Sequence, residues 1–167
     1  GNMNLKKITI VREAYPFVGI SLLITVFTFY FLGSYYAVIP GFLTCYFAYF
    51  FRNPVRETSL DENLFYSPAD GRVMAVEELF DDEYLNAEAV KVTIFLSVFN
   101  VHVNRSPICG EIKYQRYTCG GFVPAYEKAA SFENERHAIG IENNNERVLV
   151  IQIAGILARR IVSWVTL

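Results

Sequence analysis

From Ala14 to Phe51 the chain runs 38 residues without a single charged side chain. At about 1.5 Å per residue such a stretch reaches roughly 57 Å as helix, close to twice the ~30 Å hydrocarbon core of a bilayer. Two passes therefore fit it better than one. Gly33-Ser34 stands near its centre as the turn, leaving residues 15–32 and 35–51 as two arms, with Pro40-Gly41 kinking the second. Lys6, Lys7 and Arg12 precede the run while Arg52 and Arg56 follow it, and positive flanks at both ends place both on the cytoplasmic side. A cleaved signal peptide is shorter and ends in a small-residue cleavage site, which is not seen here. The expectation is a membrane hairpin over residues 1–51 and a second domain over 52–167, with a buried helical pair or a re-entrant segment as the alternative for the apolar run. Gly1-Asn2, ahead of Met3, read as an expression remnant and are left out of the fold reading.

The 116 residues after Phe51 carry 12 basic and 16 acidic side chains, a formal net of −4. An acidic surface of this kind argues against nucleic acid as a partner. Cys45, Cys109 and Cys119 form no CxxC pair and no His-rich cluster, so they read as small packing residues rather than as a disulfide or metal site. No metal centre is expected.

Beyond Pro54 the pattern is mostly β, in short runs separated by turn chemistry: residues 72–79, 90–96, 110–117, 137–142, 147–154 and 160–167. Asn143-Asn144-Asn145 between two of these reads as a hairpin turn, because Asn tolerates left-handed backbone. Residues 126–136 read as a helical turn or a flap. Many short strands at nearly even spacing suggest a sandwich or barrel rather than a parallel βαβ sheet. The fold class expected is mainly β, with a helical hairpin in front.

Two polar segments interrupt this pattern: Ser67-Pro68-Ala69-Asp70-Gly71 and Asn100-Val101-His102-Val103-Asn104-Arg105-Ser106-Pro107. They offer one carboxylate and one imidazole in turn-like sequence. An Asp that orients a His, which then acts as base, is the activating half of a nucleophilic triad, and such groups usually sit on loops held by a rigid scaffold. On residue chemistry alone the simpler alternatives stay open: a plain Asp-Gly turn for Asp70, and a hydrogen-bonded histidine at a strand edge for His102. His137, at a strand start, reads as structural.

These segments resemble phosphatidylserine decarboxylase in its short, membrane-anchored form. The match extends through Phe50-Phe51-Arg52-Asn53-Pro54, Ile94-Phe95-Leu96-Ser97, Lys128-Ala129-Ala130-Ser131, Asn134-Glu135-Arg136 and Gln152-Ile153-Ala154-Gly155-Ile156-Leu157-Ala158-Arg159-Arg160. Several ordered blocks are far more specific than any one of them. The resemblance implies a β-rich body of the barrel-sandwich type and a two-stage life. A serine hydroxyl, activated by the Asp–His pair, cuts the proenzyme and leaves a pyruvoyl group. That cofactor then forms a Schiff base with the amine of phosphatidylserine, draws electrons from the breaking Cα–carboxylate bond, and yields phosphatidylethanolamine and carbon dioxide.

By the same resemblance Asp70 is the orienting carboxylate and His102 the base and proton donor. This chain has Asn100 where the family has an acidic residue. Larger members carry a second His three positions after the first, where this chain has Arg105, so one imidazole is left to serve both stages. Arg105 reads as a contact for the anionic headgroup, and Gly121, Phe122 and Lys128 fall in the substrate-flanking loop. The implied partners are a phospholipid substrate, the membrane, and a smaller pyruvoyl-bearing subunit cut from the same proenzyme at the cytoplasmic face of the inner membrane. The family's cleaved Gly-Ser lies a few tens of residues past the Ala-Arg-Arg segment. The only Leu-Gly-Ser here, Leu32-Gly33-Ser34, is inside the apolar run and reads as coincidence, so the cofactor-forming serine is expected beyond Leu167 and residues 1–167 alone are expected to be inactive. The competing expectation is a non-catalytic β-domain on a membrane hairpin, serving as a binding or scaffolding module.

Overall fold

The computed structural model describes residues 8–56, 64–121, 133–156 and 158–167. The chain divides into two compact units: the N-terminal region joined by Val98–Asn104, and a second unit made of Leu60–Ser97 with Arg105–Leu167.

The first unit is a helical hairpin. Helix α1 spans Tyr15–Leu32 and α2 spans Ser34–Phe50. Gly33 between them has φ +91°, a backbone conformation that costs glycine little and other residues much. The turn and both arms lie within a residue of where the charge-free run places them. Flanking the helices, β1 (Ile8–Ile10) pairs antiparallel with β2 (Arg52–Pro54), from Ile8 opposite Pro54 to Ile10 opposite Arg52. These three-residue strands escape a periodicity reading because each is too short to show one. They clamp the start of α1 beside the end of α2, where Phe17 stacks on Phe51 with ring centroids 5.7 Å apart.

Small and hydroxylated residues line the helix contact. Ser21 and Ala37 are buried, and Thr25 Oγ1 meets Thr44 Oγ1 at 3.2 Å. Each threonine also donates within its own helix, Thr25 to Ser21 O and Thr44 to Pro40 O, so these two hydroxyls are satisfied within the helix pair. The outer surface is apolar instead: Leu23 is 71% exposed and Phe42 71%. Arg12–Leu32 is 21 residues with mean hydropathy 1.8 and is the one described helix long and apolar enough to cross a membrane; α2, at 17 residues, is shorter.

The second unit is built from antiparallel sheets. Strands β3 (Arg72–Asp81) and β4 (Ala87–Phe95) form a two-stranded hairpin with a bulge between Val73 and Ala75. Asp81 Oδ2 accepts from the N–H groups of Tyr84 and Leu85 at 3.0 and 2.7 Å, which fixes the connecting turn. Strands β5 (Glu111–Thr118), β6 (Arg136–Glu142) and β7 (Arg147–Ile153) form a three-stranded sheet in that order. The Asn143 turn forms as its sequence suggests: Asn143 Oδ1 accepts from the backbone N–H of Asn145 and Glu146 at 2.9 and 2.8 Å.

The β3–β4 turn packs on one face of the larger sheet. Tyr84 stacks on Tyr114 with centroids 5.2 Å apart, and Glu83 accepts from the Tyr114 hydroxyl at 3.2 Å while facing Arg116 and Arg136. The buried centre of the unit is small, with Ile108, Ala138, Ile141 and Ala154 joined by the polar Asn134 and His137. With β1–β2 there are three antiparallel sheets among the described residues, and these residues are mostly β outside the hairpin, as expected.

Two expectations need correction. Residues 160–167 form no strand; the tail is held by side chains instead, Gln115 Nε2 donating to Val165 O and Ile161 N donating to Glu135 Oε1. Strand-like composition makes a strand only where a backbone ladder meets it. The three cysteines are exposed rather than packed. Most of the flap expected over residues 126–136 lies outside the described residues; of its end, Arg136 already begins β6.

Candidate active site

The histidine loop is assembled by the end of the hairpin. Tyr49, Phe50 and Arg52 surround the junction of α2 and β2, and the Arg52 guanidinium lies 3.8 Å over the Tyr49 ring. One of its nitrogens, Nη1, donates to Tyr49 O at 2.9 Å, satisfying a carbonyl that the ending helix leaves open. The other, Nη2, donates to Phe99 O at 2.9 Å. The Tyr49 hydroxyl donates to the same Phe99 carbonyl at 3.2 Å. Val101 is buried beneath the loop, and the Phe50 ring stacks on the His102 imidazole, with centroids 4.3 Å apart and an interplanar angle of 27°.

His102 Nδ1 lies 3.1 Å from Asn100 O. A carbonyl oxygen can only accept, so Nδ1 carries the proton and Nε2 keeps the lone pair. Burial pushes the pKa of this ring below the usual 6.5, outweighing the opposing hydrogen bond to Asn100, and the positive charge of Arg52 pushes the same way. At neutral pH His102 is thus an uncharged imidazole with its lone pair on Nε2, the form a general base needs.

Asp70 lies in the second unit, on the bend that leads into β3. Ser67 Oγ donates to Ala69 O at 2.8 Å, closing the turn locally. Backbone bonds tie this turn to the segment that follows the histidine loop: Arg105 N donates to Pro68 O and Tyr66 N to Pro107 O, both at 2.9 Å. Gly71 is required by close approach, since a Cβ there would sit 2.5 Å from Phe95 O and 2.7 Å from Ile94 Cγ2. Asp70 is therefore held between a closed turn and a strand pair, with Arg105 on the neighbouring segment of the same unit.

Gly121 folds back on Glu133–Glu135, its N–H donating to Glu133 O at 2.6 Å and its carbonyl accepting from Glu135 N at 3.1 Å. Asn134 anchors that crossing, donating from Nδ2 to Ala154 O at 2.8 Å while 1% exposed. Phe122 and Lys128 lie outside the described residues. His137 is buried at 4% exposure, opposite Gln152 in the β6–β7 ladder. His137 Nδ1 and Gln152 Oε1 have no hydrogen-bond partner among the described residues.

The sequence singles out Asp70 and His102 as candidates but gives no role to Tyr49, Phe50 or Arg52. Their signal was present in Phe50-Phe51-Arg52-Asn53-Pro54, where an arginine directly follows an aromatic run; nothing local says that its target lies 47 residues away at Phe99.

Known proteins resemble this chain along most of its length. The profile of the phosphatidylserine decarboxylase family matches residues 43–166, which takes in both polar segments. A phosphatidylserine decarboxylase proenzyme of Symbiobacterium thermophilum is 41% identical over 162 residues, covering 96% of this chain and 75% of the relative. That of Syntrophus aciditrophicus is 44% identical over 158 residues, covering 93% and 74%, and that of Carboxydothermus hydrogenoformans is 52% identical over 117 residues, covering 70% and 55%. With the family match spanning residues 43–166 and relatives of 41% and 44% identity covering most of it, this chain belongs to the phosphatidylserine decarboxylase family.

Proposed function

We propose that the chain is the larger part of a phosphatidylserine decarboxylase proenzyme, converting phosphatidylserine to phosphatidylethanolamine and carbon dioxide at the cytoplasmic face of the inner membrane. The observation that carries this reading is the state of His102: an imidazole whose pKa burial lowers, with its Nδ1 proton engaged by Asn100 O, which leaves the lone pair on Nε2. The scaffolding alternative offers no reason to prepare a base in this way.

The pyruvoyl cofactor that the family implies would come from a serine on a segment following Leu167, and when in place it supplies the electron sink for loss of the carboxylate. The donor set present fits that chemistry, because a serine hydroxyl must lose a proton before it can attack and the carbon that loses carbon dioxide must gain one. His102 Nε2 suits both needs: in the single self-cleavage event it takes the hydroxyl proton and passes it to the nitrogen of the peptide bond that breaks, and in each later turnover it would take up a proton from solvent and deliver it to the carbon that has lost its carboxylate. Asp70 stabilises the imidazolium that forms transiently within each stage. Asn100 O already selects the tautomer, so the contribution of Asp70 is chiefly its charge. Arg105 binds the headgroup phosphate, with Gly121, Phe122 and Lys128 flanking the substrate.

The hairpin anchors residues 1–51 in the bilayer with both ends cytoplasmic, as the pairing of β1 with β2 at one end of the two helices favours. Residues 52–167 form the decarboxylase domain, completed to a barrel-sandwich by the smaller subunit.

The test is self-cleavage in the complete proenzyme, followed on denaturing gels. His102→Ala should abolish it. Asp70→Asn should slow it, by less than the ~10⁴-fold seen when a triad Asp is the only group fixing the tautomer. Normal cleavage in both variants would remove these residues from the mechanism.

A further inference from the structure

A single hydrogen bond, from Nδ1 to Asn100 O, selects the tautomer of His102 but leaves the ring free to swing about that bond. What stops the swing is the Phe50 ring lying against it at 4.3 Å. The carbonyl two residues upstream of Val101, Phe99 O, receives two donors from the hairpin end, Tyr49 Oη and Arg52 Nη2, and so uses both of its lone pairs. Arg52 spans the gap with a rigid fork, one prong on Tyr49 O inside the last turn of α2 and the other on Phe99 O in the loop. Three contacts join one short stretch, Tyr49 to Arg52, to one short loop, and the loop groups with the hairpin rather than with the strands on either side of it.

From these contacts we infer that Tyr49, Phe50 and Arg52 are positioning residues for His102, so that the end of the apolar hairpin doubles as the mount for the proton-transferring ring. This rests on the reading of His102 given above. The consequence is that the hairpin is more than an anchor: replacing it by another membrane tether upstream of β2 would retain membrane binding and lose the mount. It also puts the base immediately past the charge-free run, at the level where a lipid headgroup meets the protein.

Packing alone and positioning make different predictions for conservative changes. Phe50→Leu keeps an apolar side chain of similar reach but removes the flat surface, whereas Phe50→Tyr keeps it. Arg52→Lys keeps the charge but cannot hold both carbonyls. The chain has only two histidines, His102 and His137, so imidazole ¹⁵N spectra of the chain in detergent micelles report His102 directly once His137→Asn has assigned the pair. The wild type should show one tautomer at His102, protonated at Nδ1. Phe50→Leu and Arg52→Lys should each shift that signal toward a mixture of tautomers, and in the complete proenzyme each should slow self-cleavage by roughly 10- to 100-fold, the range set by a misplacement of up to about 1 Å. Phe50→Tyr should restore both readouts. An unchanged tautomer signal and cleavage rate in Phe50→Leu and Arg52→Lys, with His102→Ala inactive, would overturn the positioning role and leave the proposed function standing. Normal cleavage in His102→Ala would overturn both.

Discussion

Replacing Gly71 by alanine puts the Asp70 turn under a defined stress. The added Cβ would lie 2.5 Å from Phe95 O, 2.7 Å from Ile94 Cγ2 and 3.1 Å from Phe95 C. Two of those atoms are backbone, and they belong to the end of β4 that pairs with Arg72 and Val73. The Ile94 methyl can rotate away, but the Phe95 carbonyl cannot without disturbing the ladder. Overpacking of this kind costs about 1–3 kcal/mol. Gly121→Ala is the contrast within the same unit, because its Cβ would meet only Glu133 O at 3.6 Å, an ordinary contact, and neither of its backbone bonds depends on the side chain.

Hydrogen exchange at the paired ends of β3 and β4 reads this cost locally, since amide opening tracks the free energy of the cooperative unit. At a factor of ten per 1.4 kcal/mol, Gly71→Ala should speed exchange there by about 5- to 150-fold, with Gly121→Ala close to the wild type. If the strain is relieved instead by movement of the turn, Asp70 moves with it, and self-cleavage should fall by up to ~10²-fold for about 1 Å of displacement. One of the two effects must appear. Wild-type exchange together with wild-type cleavage in Gly71→Ala would show that the approach of Phe95 to Gly71 does not fix the turn.

The ¹⁵N titration of His102 should have its midpoint below 6.5, since burial disfavours the charged ring and Arg52 adds to the effect. The unfolded chain then binds that proton more readily than the folded one, so this contribution to stability is whole above pH 6.5 and is lost as pH falls through the folded-state midpoint; a midpoint at or above 6.5 would refute the assignment of the neutral ring. The protein should sediment with membranes and remain there through a high-salt wash, as an apolar surface rather than a charged one holds it, and recovery in the soluble fraction without detergent would exclude the hairpin as an anchor. Cysteines engineered at positions 4 and 57 should both react with an impermeant thiol reagent from the cytoplasmic side, whereas labelling from opposite sides would mean a single crossing.

Whether a feature of this chain can be read from sequence depends on the range of the interaction that makes it. The hairpin is legible because its cause is local: a run without charge, and a glycine free to take φ +91° at its centre. Strands β3 to β7 are legible for the same reason, their alternation and turn residues lying within ten residues of one another, and the Asn143 turn is made by a side chain bonding its own neighbours. Residues 160–167 mislead because their composition is strand-like while the ladder that would confirm it is a property of another segment. Asp70 and His102 stand out as polar residues in turns, but the state of His102 is set by Phe50 and Arg52, about fifty residues earlier. No period or spacing encodes a bond from a guanidinium to a distant backbone carbonyl, since the acceptor is a group every residue carries. In this chain the histidine proposed to transfer protons stands out by type, and the means by which it is held could be seen only once the loop and the end of the helix were placed together.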